Sequence, residues 1–261
     1  MTSPSKTTYC VGAVVALMLL GLVLVARHHG NDPAETPSAS IPIPVPSSPA
    51  AGPSPDALPS MDMFGNRLDA TPNPAGAALP QDRVARPDGH SADHLVAAPT
   101  GLVWQRGWGG SALGFSRSDG PNQVRDGVAS GYADTPQGAA LAAYDALGRA
   151  LSAPDGVWQH VVANRYVGGG QALIARFARS RTSTPEAAKY VVVPDGVRVL
   201  PGYRPDFAVV QVAIRGKDGW GCSTWPMAWT DGDWNVRVPD NVDDLWISTP
   251  LDSLAGFGAW K

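Results

Sequence analysis

The stretch Phe207–Val238, FAVVQVAIRGKDGWGCSTWPMAWTDGDWNVRV, decides the fold of this 261-residue chain. Turn signals at Lys217-Asp-Gly219 and Asp231-Gly232 divide it into three strands that are joined as hairpins. Proline lacks a backbone N–H, so Pro226 indicates a bulge in the middle strand. The predicted strands are Phe207–Ile214, Trp220–Thr230 and Trp234–Val238.

Helices are expected before this meander. Thr135 is placed to cap a helix whose first residue is Pro136, and apolar residues recur at helical spacing from there to Leu151. Two more helices are predicted over Val157–Val167 and Gln171–Arg179. Helices followed by antiparallel strands indicate an α+β fold, with the helices packed on one face of a curved sheet.

Shorter elements surround these helices. The segment Phe115–Pro121 predicts a turn that leads into a strand over Val124–Tyr132. Further strands are predicted over Val191–Val193 and Val197–Tyr203, where β-branched residues are frequent.

An apolar segment lies close to the N-terminus. Residues Tyr9–Ala26 include no charged side chain, and as a helix they would span roughly 27 Å, close to the hydrocarbon thickness of a bilayer. The alternative is a cleaved signal peptide, but a cut after Ala26 would place Leu24 at the minus-three position, which is a poor site. We expect a transmembrane signal anchor at 9–26, preceded by a tail at 1–8.

A proline-rich tether is predicted over residues 27–100. Asn31–Pro99 contains 14 of the 25 prolines, and Ile41–Pro46 favours an extended polyproline conformation. The tether either needs a specific length to hold the domain away from the bilayer or serves as an unspecific spacer. Its part 61–81 contains larger apolar residues, among them Phe64, and is either docked on the domain or disordered.

The domain is expected at 101–261, where 15 basic and 15 acidic residues balance. This balance argues against direct nucleic-acid binding, which needs a basic excess. Cys10 would lie in the membrane and Cys222 in the domain, so the two cannot pair. Cys222 is expected to be a buried small apolar residue.

Two sets of motifs carry a resemblance. The helices before a meander with an Asp-Gly-Asp-Trp hairpin resemble the nuclear-transport-factor-2-like (NTF2-like) cone fold. Phe115-Ser-x-x-x-Gly-Pro121 and Gly131-Tyr-Ala-x-Thr-Pro-Gln-Gly-Ala139 are similar to an actinobacterial family of single-pass proteins, and Phe64-Gly-Asn-Arg-Leu-Asp69 and Asn73-Pro-x-Gly also match that family's tether. The resemblance covers Met61–Lys261. It implies association with conjugative or integrative elements and a role like that of the cone-fold scaffold subunits of type IV secretion systems.

Candidate catalytic groups are sparse. His90 and His94 fall in the tether, and His160 is expected to be a half-buried structural residue. Asp134 is interpreted as a carboxylate of the cap region and Asp145 as a solvated helix position. The alternative is acid–base chemistry in a cone cavity, which could use Asp134, Asp145, Tyr144 or Tyr166. We expect no catalytic, cofactor or metal site.

The candidate interaction surface combines cations and aromatic residues. Arginines gather around the second and third predicted helices, whereas Asp231, Asp233, Asp240, Asp243 and Asp244 are expected at the other end of the domain. The two groups are either a dipolar docking surface or ordinary solvated faces. Three tryptophans would share one sheet face, in the core or as a contact surface. The candidate residues are Arg165, Arg176, Arg179, Arg181, Trp225, Trp229 and Trp234.

The sequence therefore predicts a single-pass cell-membrane protein with a cytoplasmic N-terminus and an extracytoplasmic domain. The nearly equal charges beside the apolar segment, Lys6 and Arg27, specify this orientation weakly. The expected function is a scaffold in an envelope complex, such as one for conjugative DNA transfer or secretion, with envelope proteins or a second copy as partners. The alternatives are a module that binds a small apolar ligand and, third, an enzyme.

Overall fold

The computed structural model describes residues 58–84 and 86–261. The predicted span Tyr9–Ala26 and the proline-rich Ile41–Pro46 lie outside the described residues. Within 58–84 and 86–261, no helix is both long enough and apolar enough to cross a membrane.

The α+β class is confirmed for the described chain. Three α-helices are present there: α1 (Pro136–Ser152), α2 (Val157–Arg165) and α3 (Gly170–Ser183). The predicted cap is confirmed, because the Thr135 hydroxyl accepts a hydrogen bond of 2.9 Å from the backbone N–H of Gly138. Short 3-10 helices occupy Trp108–Gly110, Ala187–Tyr190 and Val242–Trp246.

In the described part of the chain, three small antiparallel hairpins precede α1. They pair β1 with β2, β3 with β4 and β5 with β6. Their strands are β1 (Ser60–Met61), β2 (Arg67–Leu68), β3 (Val103–Arg106), β4 (Ala112–Phe115), β5 (Gln123–Arg125) and β6 (Val128–Ser130).

The main sheet has the strand order β7-β11-β10-β9-β8, and β12 pairs with β10. Its strands are β7 (Tyr166–Val167), β8 (Gly196–Val199), β9 (Phe207–Arg215), β10 (Trp220–Thr230), β11 (Asp233–Arg237) and β12 (Ser248–Leu251). The predicted three-strand meander is confirmed as β9, β10 and β11. The predicted bulge is wrong, because the pairing of β10 with β9 continues without interruption through Pro226↔Val209. Pro226 lies between the part of β10 that pairs with β12 (Trp220–Ser223) and the part that pairs with β11 (Met227–Thr230).

Several predicted boundaries are wrong. Val124–Tyr132 is not one strand but contains the β5–β6 hairpin, because Asp126 (φ 52°) and Gly127 (φ 82°) form its two-residue turn. Helix α2 ends at Arg165, and the next two residues form β7, which pairs in parallel with β11. The sheet is therefore not purely antiparallel. Val191–Val193 forms no strand.

The core lies between α1 and one face of the main sheet. Ala208, Val210 and Val212 of β9 lie on this face, and register places Trp225 opposite Val210. Alanines make up much of the facing side of α1, which allows the helix to approach the strands closely. Burial of this apolar face supplies the main stabilisation of the domain.

The folded unit begins before Gly101, so the predicted boundary lies too far along the chain. Leu68 is fully buried, and Asp69 forms a β-bridge with Gln105. The Gln105 side chain accepts a hydrogen bond of 2.7 Å from the Ala77 N–H and donates one of 2.8 Å to the Ala77 carbonyl. Phe64 packs against the Arg215 guanidinium. Of the two alternatives for residues 61–81, these contacts favour docking on the domain.

Candidate functional site

A cavity of about 130 Å³ lies between α1, the end of α3 and the main sheet. Each surrounding element contributes part of its wall. Lining residues include Tyr144, Leu147, Gly148 and Leu151 of α1, Ser180 and Thr184, Ala187 and Tyr190, Ile214, Ser223 and Trp225 of the sheet, and the run Leu245–Ser248.

The lining is aromatic and uncharged. Tyr144, Tyr190, Trp225 and Trp246 contribute four rings, and no Asp, Glu, Lys, Arg or His is among the lining residues. Burial raises the pKa of Tyr144, so its hydroxyl stays protonated. This composition is typical of a pocket for a small apolar molecule.

Four polar side chains of the wall have hydrogen-bond partners. The Tyr144 hydroxyl donates to the Val192 carbonyl, and Trp225 Nε1 donates to Ser223 Oγ at 2.8 Å. Arg176 Nη1 donates to Ser180 Oγ at 2.5 Å. In contrast, Thr184 Oγ1 and Ser248 Oγ are buried and have no hydrogen-bond partner among the described residues. An unsatisfied buried hydroxyl is unfavourable by about 1–3 kcal/mol, so these two oxygens require an explanation.

The four candidate arginines do not form a free basic surface. Arg165 is buried, and its guanidinium bonds to Asp233 and to the Trp234 carbonyl. The Arg181 guanidinium donates to the carbonyls of Ala150, Leu151 and Ala153 at the end of α1. Arg176 lies 4.3 Å above the Trp246 ring. Arg179 is exposed and has no ionic or hydrogen-bond partner among the described residues.

The prediction that the arginines and aspartates lie at opposite ends of the domain is wrong. Arg165 Nη1 lies 2.7 Å from Asp233 Oδ2, and Arg176 Nε lies 2.5 Å from Asp243 Oδ1. The parallel pairing of β7 with β11 brings the end of α2 to Asp233. These charges form ion pairs, so they do not create a dipolar surface.

The candidate tryptophans lie on one sheet face, which is the core face. Trp225 and Trp234 are 2% and 0% exposed, so neither is available as a contact surface. Trp229 is half-buried and packs edge-on against Trp234, with 5.4 Å between ring centroids. Of the two alternatives for these residues, the structure favours core packing.

A buried charged cluster replaces the solvated position predicted for Asp145. Arg149 is fully buried, and its Nε lies 2.7 Å from both carboxylate oxygens of Asp145. Burial and the nearby Asp145 charge raise the pKa values of Tyr132 and Tyr166, whose hydroxyls have no partner among the described residues. Arg149 Nη1 also donates to the carbonyls of Ala75 and Gly127, so the cluster joins three chain segments.

His160 is exposed, and its predicted half-buried position is wrong. It borders an open polar cleft of about 340 Å³, together with Asn164 and residues of the β5–β6 hairpin such as Arg125 and Asp126. Asp134 is exposed beside the α1 cap, as expected.

Two other predictions concern ligating and nucleophilic groups. Within 58–84 and 86–261, no three His, Cys, Asp or Glu side chains are arranged to hold a metal ion. Cys222 is 2% exposed, as predicted, and burial raises the pKa of its thiol. A buried thiol with a raised pKa is a poor nucleophile.

Sequence reasoning named Tyr144 and Trp225 as candidates but missed the other cavity residues. Thr184 follows the end of α3, and Ser248 begins β12, so the two lie 64 positions apart in the chain. No local motif links them.

The comparisons with known proteins give one match. A family model described as a domain of unknown function (DUF8175) matches residues 69–259, which are 191 of the 261 positions. No curated protein matches the chain, and no solved structure matches it. The matched range covers two of the three hairpins before α1, β3–β4 and β5–β6, as well as the helices and the main sheet. The chain therefore belongs to the DUF8175 family, whose domain has no known function.

Proposed function

We propose that this protein is a membrane-anchored scaffold or interaction subunit of an actinobacterial envelope complex, such as one for conjugative DNA transfer or secretion. The charge-free segment Tyr9–Ala26 carries this proposal, because it is long enough to span a bilayer and precedes a proline-rich stretch and a folded domain. In this proposal the N-terminus is cytoplasmic and the domain extracytoplasmic. The domain would be a variant of the NTF2-like cone, a proposal supported by helix α1 lying across the β9–β11 meander.

The charges of the domain support a role in contacts between proteins. Basic and acidic residues balance in 101–261, which gives no field for general nucleic-acid binding. Arg165, Arg176 and Arg181 bond to other groups of the domain, whereas Arg179 on α3 is exposed and has no partner within 58–84 and 86–261. Arginine is favoured at protein interfaces because its planar group pairs with carboxylates.

Fractionation tests the anchor. Full-length protein is expected in the membrane fraction after a high-salt wash, and a variant that lacks residues 1–26 is expected in the soluble fraction. Full-length protein that stays soluble would overturn the anchor.

Labelling tests the topology. A Lys217→Cys variant places a thiol in the exposed β9–β10 turn, whereas native Cys222 is buried. A membrane-impermeant maleimide should label this variant in intact spheroplasts, and the parent protein is the control. Labelling only after lysis would overturn the extracytoplasmic domain.

Crosslinking in the native membrane tests the partner. A photoreactive residue at Arg179 is expected to capture envelope ATPase or channel subunits, and the same residue at Lys217 is the control for random collisions. Products containing only this chain would favour self-association, and an equal yield from both positions would argue against α3 as the contact surface.

The cavity favours a second candidate function, the binding of a small apolar ligand. Its four aromatic rings and uncharged wall are the supporting observation. Native mass spectrometry of protein purified from its own membranes tests this function. A bound species that is absent from a cavity-filling Ala187→Leu variant would support ligand binding, whereas equal masses of bound material on both would contradict it.

A further inference from the structure

We propose that the open polar cleft between α2 and the β5–β6 hairpin binds a phosphate group. The cleft shares no lining residue with the aromatic cavity and does not include Arg179. It is therefore a site of its own, independent of both functions proposed above.

The β5–β6 hairpin forms one wall of the cleft. The register pairs Gln123 with Ser130. Two residues further along, it pairs Arg125 with Val128, and residues two apart on a strand lie on the same face. These four side chains therefore share one face of the hairpin, and all four residues line the cleft. The opposite face points to the core, where Ala129 is fully buried.

Helix α2 forms the other wall. His160 and Asn164 are four residues apart, so they lie on the same side of the helix, and both line the cleft. The hairpin turn lies against the start of this helix, because a Cβ atom at Gly127 would be only 2.3 Å from Val157 Cγ1. The Gly127 carbonyl also accepts a hydrogen bond from buried Arg149. These contacts hold the two walls in place, so the cleft is formed before a ligand binds.

The side chains of the cleft have unused hydrogen-bonding capacity. Within 58–84 and 86–261, no hydrogen bond or ion pair engages four of them, which belong to Gln123, Arg125, Ser130 and His160. Asn164 Nδ2 donates to the His160 carbonyl at 2.8 Å and retains a second N–H. Each of these five side chains can donate a hydrogen bond, since even a neutral imidazole keeps one N–H. The matching ligand is therefore rich in acceptors.

A phosphate group fits this set of donors. A carboxylate offers two oxygens, whereas a phosphate monoester offers three strong acceptor oxygens and carries nearly two negative charges at neutral pH. The planar guanidinium of Arg125 can hold two oxygens as a bidentate pair, which leaves the third for the amide, hydroxyl and imidazole donors. Among the lining residues, only Asp126 is acidic, and its charge opposes the anion. This opposition gives the proposal a distinctive test.

The cleft is larger than a bare phosphate ion requires. Its volume of about 340 Å³ lies at the lower end of the range for small-molecule sites, which is roughly 300–1,000 Å³. The phosphate is therefore expected on a small organic group such as glycerol. A free phosphate ester and the headgroup of a phospholipid share this chemistry.

Titration of full-length protein in detergent, followed by phosphorus NMR, tests the site. The probes are glycerol 3-phosphate, a free ester, and a short-chain phosphatidic acid, which carries the same group as a lipid. Arg125→Gln should weaken binding by about tenfold or more, because it removes a charged bidentate donor. Arg179→Gln is the matched control, since it removes another exposed arginine without a partner in the described chain and should leave the affinity unchanged.

A second variant should strengthen binding. Asp126→Asn removes the opposing charge, so the affinity should rise by about twofold to fivefold. Asparagine tolerates the positive φ of 52° at this position, so the turn before Gly127 is retained. A gain in affinity cannot result from misfolding, so this variant is decisive even where Arg125→Gln disturbs the hairpin.

The two probes distinguish the sources of the phosphate. Equal affinities for both would identify a free ester as sufficient, and binding of phosphatidic acid alone would identify a lipid headgroup. The phosphate site is overturned if wild-type protein binds neither probe, or if either cleft variant keeps the wild-type affinity.

Discussion

Arg165, the last residue of α2, donates from Nη1 to Oδ2 of Asp233 at the start of β11, over 2.7 Å. Asp233 also accepts hydrogen bonds from the backbone N–H groups of Gly131 and Tyr132, which precede α1. One carboxylate thus joins the meander to the helices. Arg165 and Asp233, which the sequence suggested as surface groups, therefore form an internal connection.

The first prediction concerns this carboxylate. Asp233→Asn should lower the free energy of unfolding by about 3 kcal/mol or more, because it leaves the buried Arg165 charge without its counterion. Urea denaturation of purified full-length protein, followed by circular dichroism, measures the loss.

Asp243→Asn is the matched control. It also removes the carboxylate partner of an arginine, but the Asp243 side chain is 60% exposed, compared with 13% for Asp233. A change of less than about 1 kcal/mol is expected there. Equal effects of the two substitutions would contradict the structural role given to Asp233.

The second prediction concerns the buried pair Asp145–Arg149. Arg149→Met should destabilise the protein by about 3–5 kcal/mol, because Asp145 would remain buried without its counterion. The double variant Arg149→Met, Asp145→Leu should recover most of this loss, since it removes both charges together. The carbonyls of Ala75 and Gly127 would still lose a donor, so recovery should be incomplete. A double variant less stable than the single one would refute this account.

The sequence predicted the elements with strong local signals. The Thr135 cap, Pro136 and the Asp231-Gly232 turn determine the structure of residues close to them in the chain. The structure confirms all three: the cap and Pro136 begin α1, and the turn joins β10 to β11. Asp126-Gly127 carries the same type of turn signal, and reading it would have predicted the β5–β6 hairpin.

Long-range pairing explains the wrong predictions. Nothing around Tyr166 indicates that two residues will leave the helix to pair in parallel with β11, because the partner lies 70 positions away. The sequence around Asp145 is typical of a solvated helix position, and only the folded structure shows that Asp145 is buried and paired with Arg149. The cavity likewise depends on tertiary structure, because its wall combines residues of α1 with the distant run Leu245–Ser248.

The third prediction concerns the cap of α1. The Thr135 hydroxyl accepts from the Gly138 N–H and donates to Asp119 Oδ1 at 2.6 Å. Thr135→Ala should lower the free energy of unfolding by about 1–2 kcal/mol, because it removes the cap and one bond to the buried Asp119. Thr135→Ser retains the hydroxyl and should lose less than half as much. Thermal unfolding of the two variants makes the comparison, and similar losses would show that the methyl group, and not the cap, stabilises the helix.

The fourth prediction concerns acid stability. Burial raises the pKa of Asp195, but hydrogen bonds from Arg215 and Lys261 outweigh burial and hold this pKa at about 2, below its ordinary value of 3.8. Because the folded-state pKa is the lower one, the folded state is favoured at neutral pH, and this contribution is lost as the pH falls from about 4 to about 2. Asp195→Asn should therefore be less stable than wild-type protein at pH 7, and the difference should shrink in that acid range. Urea midpoints measured at pH 7, 4, 3 and 2.5 test this. A constant difference across these values would show that Asp195 stabilises the fold by packing and not by its charge.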